Sequence, residues 1–588
     1  DEPDGIDRYI YSLSSNRDIW IVGESKSLFS SIPTNKIKDP EDSSYTNKLG
    51  ANIDGSFVNF VLFAPRSQSV SVRINSTVIP MKLTKDGRFW WVRTNANAND
   101  TYKFILDGSI YVSDPYARAN KYSNGDSIII APEFNFDPFE TLNLDKIVIY
   151  ELHINDMTYN DISVPTEHRG KFLGLTNKIP YLKQLGINAI EIMPLQEFPG
   201  IGYSWGYNNS LYFAPESDYA TGNSGQQVIE LKQMINEFHK NGIAIILDVV
   251  YNHTANSDNY LWMIDDEYYF DPAGTDWGNK LYIQRPMVRR LVFDNMKYWI
   301  EEYNVDGFRL DGVYVMDKPS LWSVITNLRN AGFNNKIYIA ELFGDSYFKN
   351  KNVPTWSSTY RDNIKNYVKN GLTQVGGFYG FASTVWYCND WGFFGSPLEA
   401  INYLESHDEE TMGYYFGTNS TGLINGLIAA SILFTSLGVP MIYEGQEFHR
   451  VKAMQDTSAV NNRINWDNLI QNTNYFNYFS GLVNLRTKFD AFYAYTSSLE
   501  WAMQSSDWNT KMLCYFRKSP TNSNFLVCIN LGTTQITKYI TNFPYNGEWK
   551  LIANMINFNL DGVGESLNVV TNTAQISIPG KSVYIYMK

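Results

Sequence analysis

Strand-like and helical segments alternate between residues 147 and 447, and this alternation restricts the possible folds most strongly. Helical runs that mostly end in Gly or Asn separate seven apolar, strand-like runs. These runs are IVIYELHI (147–154), INAIEIMPL (187–195), IAIILDVVYN (243–252), DGFRLDGV (306–313), KIYIAELFG (336–344), AINYLESHD (400–408) and VPMIYEGQE (439–447). VGGFYGFA (375–382) fills the gap after the fifth run. We therefore predict a (β/α)8 TIM barrel, with a doubly wound sheet as the alternative.

Shorter strand patterns flank this region on both sides. Alternating runs broken by turns between Gly55 and Ala117 predict a β-sandwich, and short strands return after residue 489. The predicted fold class is a multidomain α/β protein, in which an N-terminal β-sandwich and a C-terminal antiparallel β-domain flank the barrel. The predicted boundaries are 1–50 for an N-terminal extension, 51–140 for the sandwich, 141–490 for the barrel with a short insertion at about 254–285, and 491–588 for the C-terminal β-domain.

Charge and composition exclude several classes of partner. The net charge is −13 and no Lys/Arg-rich run occurs, which argues against binding of nucleic acid or an anionic membrane. No apolar run reaches about 18 residues, so we expect no membrane span. The first residue is Asp1 rather than Met, which predicts a trimmed mature protein. We expect an extracellular or periplasmic monomer.

The cysteines do not indicate a metal site. Cys388, Cys514 and Cys528 lack the spacing of metal ligands. Cys514 and Cys528 lie in neighbouring strand-like runs, so they either pair or are buried thiols, and we favour buried thiols.

Ionisable side chains cluster at the carboxyl ends of the predicted strands, where a TIM barrel forms its active site. They are Asp248, His253, Arg309, Asp311, Glu341, His407, Asp408, Glu444 and Glu447. Converging carboxyl groups beside Arg and His match retaining glycoside hydrolysis, which needs a carboxylate nucleophile and a carboxylic acid. Burial and neighbouring carboxylates keep the acid protonated, whereas an adjacent Arg keeps the nucleophile ionised.

Four short motifs occur in order along the chain: DVVYNH (248–253), GFRLD (307–311), AELFG (340–344) and ESHD (405–408). They resemble the four signature regions of the α-amylase superfamily, glycoside hydrolase family 13, and the resemblance covers nearly the whole chain. It implies that Asp311 is the nucleophile, Glu341 the general acid/base and Asp408 the transition-state stabiliser. It also implies that Arg309 holds Asp311, while Asp248 is an internal scaffold residue.

The same resemblance implies residues that contact the sugar at the cleavage point. His253 and His407 would bind its hydroxyl groups. The segment SWGYNNSLYFAPESDYAT (204–221) resembles the family's loop after the second strand, which makes Tyr207 a stacking platform. Arg463 matches an Arg that many members place near this sugar, although Ala459 stands where its Asp partner usually lies.

The residues after the nucleophile depart from the pattern of a plain α-amylase. Those enzymes usually carry Lys-His two residues beyond the nucleophile, where this chain has Tyr314 and Val315. Tyr314 is therefore a candidate sugar contact, and Val315 has no side-chain ligand for calcium. The resemblance implies no cofactor for the chemistry, and it leaves open a structural calcium ion with Asn252 among its ligands.

The segment before the barrel also resembles a known module. FVLFAPRSQSVSV (60–72) and DPYAR (114–118) look like the sandwich of carbohydrate-binding module 48. Trp90 and Trp91 are candidate sugar contacts there, and packing between domains is an alternative of at least equal weight.

The expected function is hydrolysis of α-glucosidic bonds in starch- or glycogen-type α-glucans through a covalent glycosyl-enzyme. Endo α-1,4 cleavage ranks first, α-1,6 debranching of the pullulanase type second and branching transfer third. Pullulanase-like segments coexist with Gly312, Val313 and Glu409, which depart from the pullulanase pattern. A catalytically dead glucan-binding protein ranks last because all three carboxylates are present.

Overall fold

The structure is a computed structural model of the chain. It describes residues 6–12, 18–24, 48–84, 89–131, 133–200, 202–372, 377–387, 392–503, 511–521 and 523–588. Within this part of the chain, no helix is both long and apolar enough to cross a membrane.

Eight parallel strands close into a barrel, and they neighbour one another in chain order. Their bounds are Ile149–Leu152, Ala189–Ile192, Ala244–Val249, Gly307–Leu310, Ile337–Ala340, Thr355–Trp356, Ala400–Asn402 and Val439–Tyr443. The first strand pairs with the eighth, which closes the ring. The predicted TIM barrel is therefore confirmed, and the doubly wound alternative is wrong.

The predicted sixth strand, VGGFYGFA (375–382), is wrong. Gly377–Val385 is an α-helix, and residues 375–376 lie outside the described part of the chain. Phe378, Phe381 and Val385 are buried at helical spacing, which accounts for the helix. The sixth strand is Thr355–Trp356, and two residues are too few to show an alternating pattern.

Helices surround the barrel and lie in the loops at its mouth. Pro286 in the first turn and Asn304 at a left-handed φ of 55° mark the two ends of the helix that precedes the fourth strand. The α-helices are Ile154–Thr158, Phe172–Thr176, Ile179–Leu185, Gln226–Lys240, Tyr260–Tyr269, Pro286–Tyr303, Lys318–Leu328, Ser358–Asn370, Gly377–Val385, Met412–Phe416, Ser420–Thr435, Ala459–Asn462, Asp467–Gln471 and Thr473–Lys488.

Two antiparallel sheets precede the barrel, as the sandwich prediction expects. One consists, in spatial order, of Gly50–Asp54, Phe57–Leu62, Trp90–Asn95 and Lys82–Leu83. The other consists of Ile110–Val112, Thr101–Leu106, Val70–Ile74 and Thr77–Pro80, with Ser127–Ile128 beside Thr101–Leu106. Trp90 and Trp91 are 6% and 4% exposed within the hydrophobic core. Both rings are thus interior, and their prediction as sugar contacts is wrong.

The C-terminal region is antiparallel, as predicted. Its six-stranded sheet consists of Leu499–Trp501, Met512–Arg517, Phe525–Asn530, Ser582–Met587, Gly547–Ala553 and Leu567–Val569, and Ile536–Ile540 pairs with Ala574–Ile578. Cys514 and Cys528 face each other on adjacent strands as buried free thiols, which confirms that prediction. Cys388 lies outside the described residues. Within the predicted N-terminal extension, Ile6–Ser12 pairs with Asp18–Glu24.

Asp306 connects several segments at the amino-terminal end of the barrel through hydrogen bonds. Its carboxylate accepts hydrogen bonds from Thr141 Oγ1 at 2.6 Å and from the Ile245 backbone N–H at 2.8 Å, and it lies 2.9 Å from His239 Nε2. Asp306 is therefore a structural residue one position before the fourth strand, although Arg309 and Asp311 lie near the opposite end of that strand.

Gly307 lets the fourth and fifth strands approach closely. A Cβ atom at this position would lie 2.4 Å from the carbonyl oxygen of Ile337 and 2.7 Å from its Cβ atom. Both atoms belong to the neighbouring strand, so the backbone itself would have to shift.

We expect Gly307→Ala to lower the free energy of unfolding of the barrel by about 1–3 kcal/mol, because the added methyl group overpacks the strand pair. Gly564→Ala is the matched control, since its Cβ would meet only a Leu551 methyl group at 3.0 Å. Urea unfolding of both variants checks this. Equal stability of Gly307→Ala and the parent protein would contradict the packing role.

Candidate active site

A cleft of about 610 Å³ opens at the carboxyl end of the barrel. Asp311 and Glu341 each follow directly on a strand, and His407 and Asp408 lie in the loop after Ala400–Asn402. Parallel strands bring these positions together, because their carboxyl ends meet at one rim. The predicted residues that line the cleft are Tyr207, His253, Asp311, Tyr314, Glu341, His407 and Asp408.

The guanidinium of Arg309 lies fully buried beneath the cleft and joins three carboxylates. Its Nη1 donates to Asp248 at 2.8 and 2.9 Å and to Asp311 Oδ1 at 2.7 Å. Its Nη2 lies 3.2 Å from Glu341 Oε2. Burial alone would lower the pKa of Arg309, but Asp248 and Glu341 raise it well above its ordinary value. Arg309 therefore stays charged and holds the carboxylates in place.

Asp311 is held as a hydrogen-bond acceptor. Arg309 Nη1 and Asn252 Nδ2 each donate to its carboxylate at 2.7 Å. The Asp311 side chain is 16% exposed, so it remains accessible from the cleft. Two N–H donors from fixed partners orient this carboxylate, and a carboxylate at the cleft surface can act as a nucleophile.

Glu341 differs from Asp311 because burial strongly shifts its pKa. The backbone N–H of Gly312 donates to its Oε2 at 2.7 Å, in a turn where Gly312 has a left-handed φ of 54°. Burial raises the pKa of Glu341 to about 7; Arg309 opposes this shift, whereas Asp311 and Asp408 add to it. Glu341 can therefore hold a proton near neutral pH, as a general acid must.

Asp408 and His407 form another part of the cleft wall. The Asp408 side chain is 45% exposed, and its Oδ2 lies 3.5 Å from His407 Nε2. His407 Nδ1 lies 2.6 Å from Glu151 Oε1, and the His407 backbone N–H donates to Glu151 Oε2 at 3.0 Å. Burial alone would lower the pKa of His407, but Asp408 and Glu151 raise it to about 9. A charged imidazole thus faces the cleft below that pH.

Tyr207 and His253 complete the innermost part of the cleft. The Tyr207 ring stacks on the His407 ring at 4.9 Å and an interplanar angle of 18°, and its hydroxyl donates to Asp248 at 2.6 Å. His253 Nδ1 contacts the side-chain oxygen of Asn252. Burial lowers the pKa of His253, which favours the neutral imidazole.

Exposed aromatic rings form one rim of the cleft. Tyr314 is 46% exposed and lies 6.1 Å from the Trp277 ring and 6.2 Å from the Phe343 ring. Trp277 also lies 6.0 Å from the His253 ring. Such rings offer apolar faces for stacking against a sugar.

Arg463 is the one predicted sugar contact that lies away from both the cleft wall and the carboxylates. Its Nε donates to Asn155 Oδ1 at 2.8 Å, and its guanidinium lies 3.3 Å from the centre of the Tyr159 ring. It approaches the site only through Tyr203, a lining residue whose ring centre is 5.4 Å away.

Glu444 and Glu447, predicted at the same rim, do not line the cleft. Glu447 accepts from Tyr150 at 2.8 Å and from Tyr181, and Glu444 accepts from the His153 backbone N–H at 3.2 Å. These buried partners hold both carboxylates within the protein, so their placement in the site is wrong.

Asn252 is fully used within the site, because it donates to Asp311 and contacts His253 through its oxygen. Among the described residues, no group of three or more His, Cys, Asp or Glu side chains could hold a metal ion. The side chain of Asn252 is thus engaged with Asp311 and His253, and a structural calcium ion with Asn252 among its ligands stays a prediction.

Several residues that line or support the cleft were not predicted from the sequence. Glu151 lies in the first strand, and Tyr203, Trp205 and Trp277 line the cleft. The one available signal for Glu151 is a carboxylate within an otherwise apolar strand. Lys452 also contacts the site: its ammonium group donates a hydrogen bond to the carbonyl oxygen of His407.

We expect Glu151→Gln to lower the pKa of His407 from about 9 by at least about one unit, because a negative charge 2.6 Å from Nδ1 is removed. NMR titration of the His407 ring measures this shift. Glu230→Gln is the control, since Glu230 accepts from the Thr221 backbone N–H elsewhere in the protein. An unchanged His407 titration in Glu151→Gln would contradict this electrostatic pairing.

Two family models match the chain. Residues 116–277 match the "Alpha amylase, catalytic domain" and residues 503–588 match the "Alpha amylase, C-terminal all-beta domain". The first match includes Tyr207 and His253.

Individual proteins show the same relationship. The chain is 35% identical over 301 residues to the malto-oligosyltrehalose trehalohydrolase of Saccharolobus solfataricus, which covers 50% of this chain and 51% of that protein. It is 27% identical over 534 residues to the pullulanase of Bacillus subtilis, covering 76% of this chain and 72% of that protein. The chain thus spans about half the length of the first of these curated relatives.

A solved structure extends the likeness to the whole fold. The pullulanase from Bacillus acidopullulyticus superposes with a TM-score of 0.80 at 24% identity, over 93% of this chain and 76% of that one. The two family models thus show an α-amylase-type catalytic domain of glycoside hydrolase family 13 and an α-amylase-type C-terminal β-domain in this chain.

Proposed function

We propose that this protein is a retaining hydrolase that cleaves α-glucosidic bonds of starch- or glycogen-type α-glucans, with α-1,6 branch points as its preferred bonds. The observation that carries the reaction type is the contrast between two carboxyl groups on one guanidinium. Asp311 accepts two N–H donors, whereas burial raises the pKa of Glu341 to about 7. Asp311 can thus serve as the nucleophile and Glu341 as the acid.

In the first step, Asp311 attacks the anomeric carbon while Glu341 gives its proton to the departing glycosidic oxygen. A covalent bond forms between Asp311 and the sugar, and the aglycone leaves as an alcohol. Arg309 holds the Asp311 carboxylate in position at the cleft. In the second step, Glu341 removes a proton from water, which displaces the sugar from Asp311 and restores both residues.

The transition states carry positive charge on the sugar ring. Asp408, which lines the cleft and is 45% exposed, offers a negative charge to this ring. His407 and His253 present ring nitrogens toward sugar hydroxyls, and the Tyr207 ring offers a stacking surface.

Two observations support α-1,6 cleavage over the endo α-1,4 cleavage that ranked first in the sequence prediction. Similarity to a pullulanase extends over 76% of this chain. Tyr314 and Val315 also replace the Lys-His pair of plain α-amylases, and Tyr314 lies on the exposed aromatic rim. A second candidate is trehalose release from a maltooligosyltrehalose, which the 35% identity to a trehalohydrolase over half of this chain favours.

Product analysis on pullulan, amylose and a maltooligosyltrehalose separates these functions. We expect maltotriose from pullulan and few new reducing ends from amylose. Reducing ends from amylose without maltotriose from pullulan would instead support α-1,4 cleavage. Trehalose release alone would support the second candidate, and an altered iodine complex without new reducing ends would support branching. Absence of any product would contradict hydrolysis altogether.

The kcat/KM for α-glucan hydrolysis should fall as the pH rises through about 7, because Glu341 then loses the proton that it must donate. Glu341→Gln should lower kcat about 10²–10⁴-fold on natural glucans. The fall of kcat/KM above about pH 7 should also disappear from the pH profile of this variant. Glycosyl fluorides, whose leaving group needs no proton, should retain a fast first step.

Glu237→Gln, at a half-buried position of the helix Gln226–Lys240 that does not line the cleft, is the matched control and should keep the parent profile. An alkaline limb that persists unchanged in Glu341→Gln would assign the ionisation to another group.

The extracellular or periplasmic location, the monomeric state and the domain boundaries stay predictions.

A further inference from the structure

A second cleft, of about 750 Å³, lies between the barrel and the C-terminal β-domain. Its walls come from the helices Ser420–Thr435 and Thr473–Lys488 and from the loop around residues 556–563. This cleft is larger than the catalytic cleft of about 610 Å³ and shares none of its lining residues. None of the residues in the proposed mechanism lies in it.

The lining of the second cleft is uncharged but rich in amide groups. Of the described residues that form it, none is Asp, Glu, Lys, Arg or His, although the protein has a net charge of −13. Asn474 and Asn477 lie three residues apart on the helix Thr473–Lys488 and so share one of its sides, and Gln471 lines the cleft from the end of the preceding helix, Asp467–Gln471. A charged ligand would find no counter-charge here, whereas a neutral polyhydroxyl ligand would find many donors and acceptors.

These amide groups are available to a ligand. The side chains of Gln471, Asn474 and Asn477 are exposed and make no hydrogen bond to any other described residue. Asn557 on the facing loop is also exposed. The two walls thus present unused donors and acceptors to the same space.

The cleft also contains apolar surface beside the amides. Ile556 is 54% exposed, and the half-buried Phe558 ring meets Tyr478 edge-on at 6.2 Å. Phe558 is held in place because it packs against Gly481, where an added Cβ would lie 2.3 Å from its ring. A fixed ring beside free amides suits a sugar chain, which has apolar faces and hydroxyl edges.

We propose that this second cleft binds a segment of α-glucan chain and holds the polymer while the catalytic cleft acts on it. The identity of the sugar in this proposal rests on the proposed function. The new element is a non-catalytic binding site formed by Gln471, Asn474, Asn477 and Phe558.

The test uses the full chain carrying Asp311→Asn, so that the glucan is not consumed, with and without the double change Asn474→Ala and Asn477→Ala. Both Asn side chains are exposed and Ala favours helix, so the double variant should fold. Affinity electrophoresis through amylopectin gives the dissociation constant. We expect this constant to rise about tenfold, because hydrogen bonds to the sugar are lost.

Gln233→Ala, an exposed amide on the helix Gln226–Lys240, is the matched control and should leave the dissociation constant unchanged. In the active enzyme, the double variant should keep the parent kcat/KM on a short maltooligosaccharide derivative.

An amylopectin dissociation constant within twofold of the Asp311→Asn parent would overturn the proposal, even for an enzyme that hydrolyses α-glucans. Conversely, a tenfold loss of amylopectin binding in a protein whose wild type hydrolyses no glucan would support the cleft and contradict the proposed function. The two failures are therefore distinguishable.

Discussion

The arrangement of the active site depends on one buried cation, the guanidinium of Arg309. A charge removed from water is costly unless it is paired, and Arg309 is paired with Asp248, Asp311 and Glu341. Removing one partner of such a buried pair typically costs about 3–5 kcal/mol, because the remaining charge is left uncompensated. The planar fork of Arg suits this task, since it presents several N–H donors in fixed directions.

Arg309 also connects the site to the barrel wall. Its guanidinium lies 4.5 Å from the centre of the Trp356 ring, on the two-residue sixth strand, and 5.8 Å from that of Tyr207. The same carboxylate of Asp248 accepts from both Arg309 and Tyr207. One network that spans the third and fourth strands thus positions both the Tyr207 ring and the Asp311 carboxylate.

The surroundings of this network are where specificity can vary. Buried contacts with Arg309 hold three carboxylates in place, those of Asp248, Asp311 and Glu341. The rings of Tyr314 and Trp277 on the rim are instead nearly half exposed. Substitution of an exposed ring changes the surface offered to the sugar without disturbing Arg309.

Local patterns allowed much of the fold and the site to be predicted. Asp311, Arg309 and Glu341 lie at or directly beyond strands with clear apolar patterns, so their convergence followed from the barrel itself. The sixth strand was missed because Thr355–Trp356 is too short to show any period. Glu151 was missed because its partner, His407, lies 256 residues away. Glu444 and Glu447 were misplaced because strand position alone does not show that buried tyrosines and backbone groups hold them.

The most direct test of the account is to trap the covalent intermediate on Asp311. Glu341→Gln should still react with a maltooligosyl fluoride, because fluoride leaves without a proton, but it should hydrolyse the resulting ester slowly. Peptide mass spectrometry should then show a glycosyl group on the peptide that contains Asp311. A glycosyl group on another carboxylate, or fluoride release with no glycosyl group on Asp311, would contradict the account.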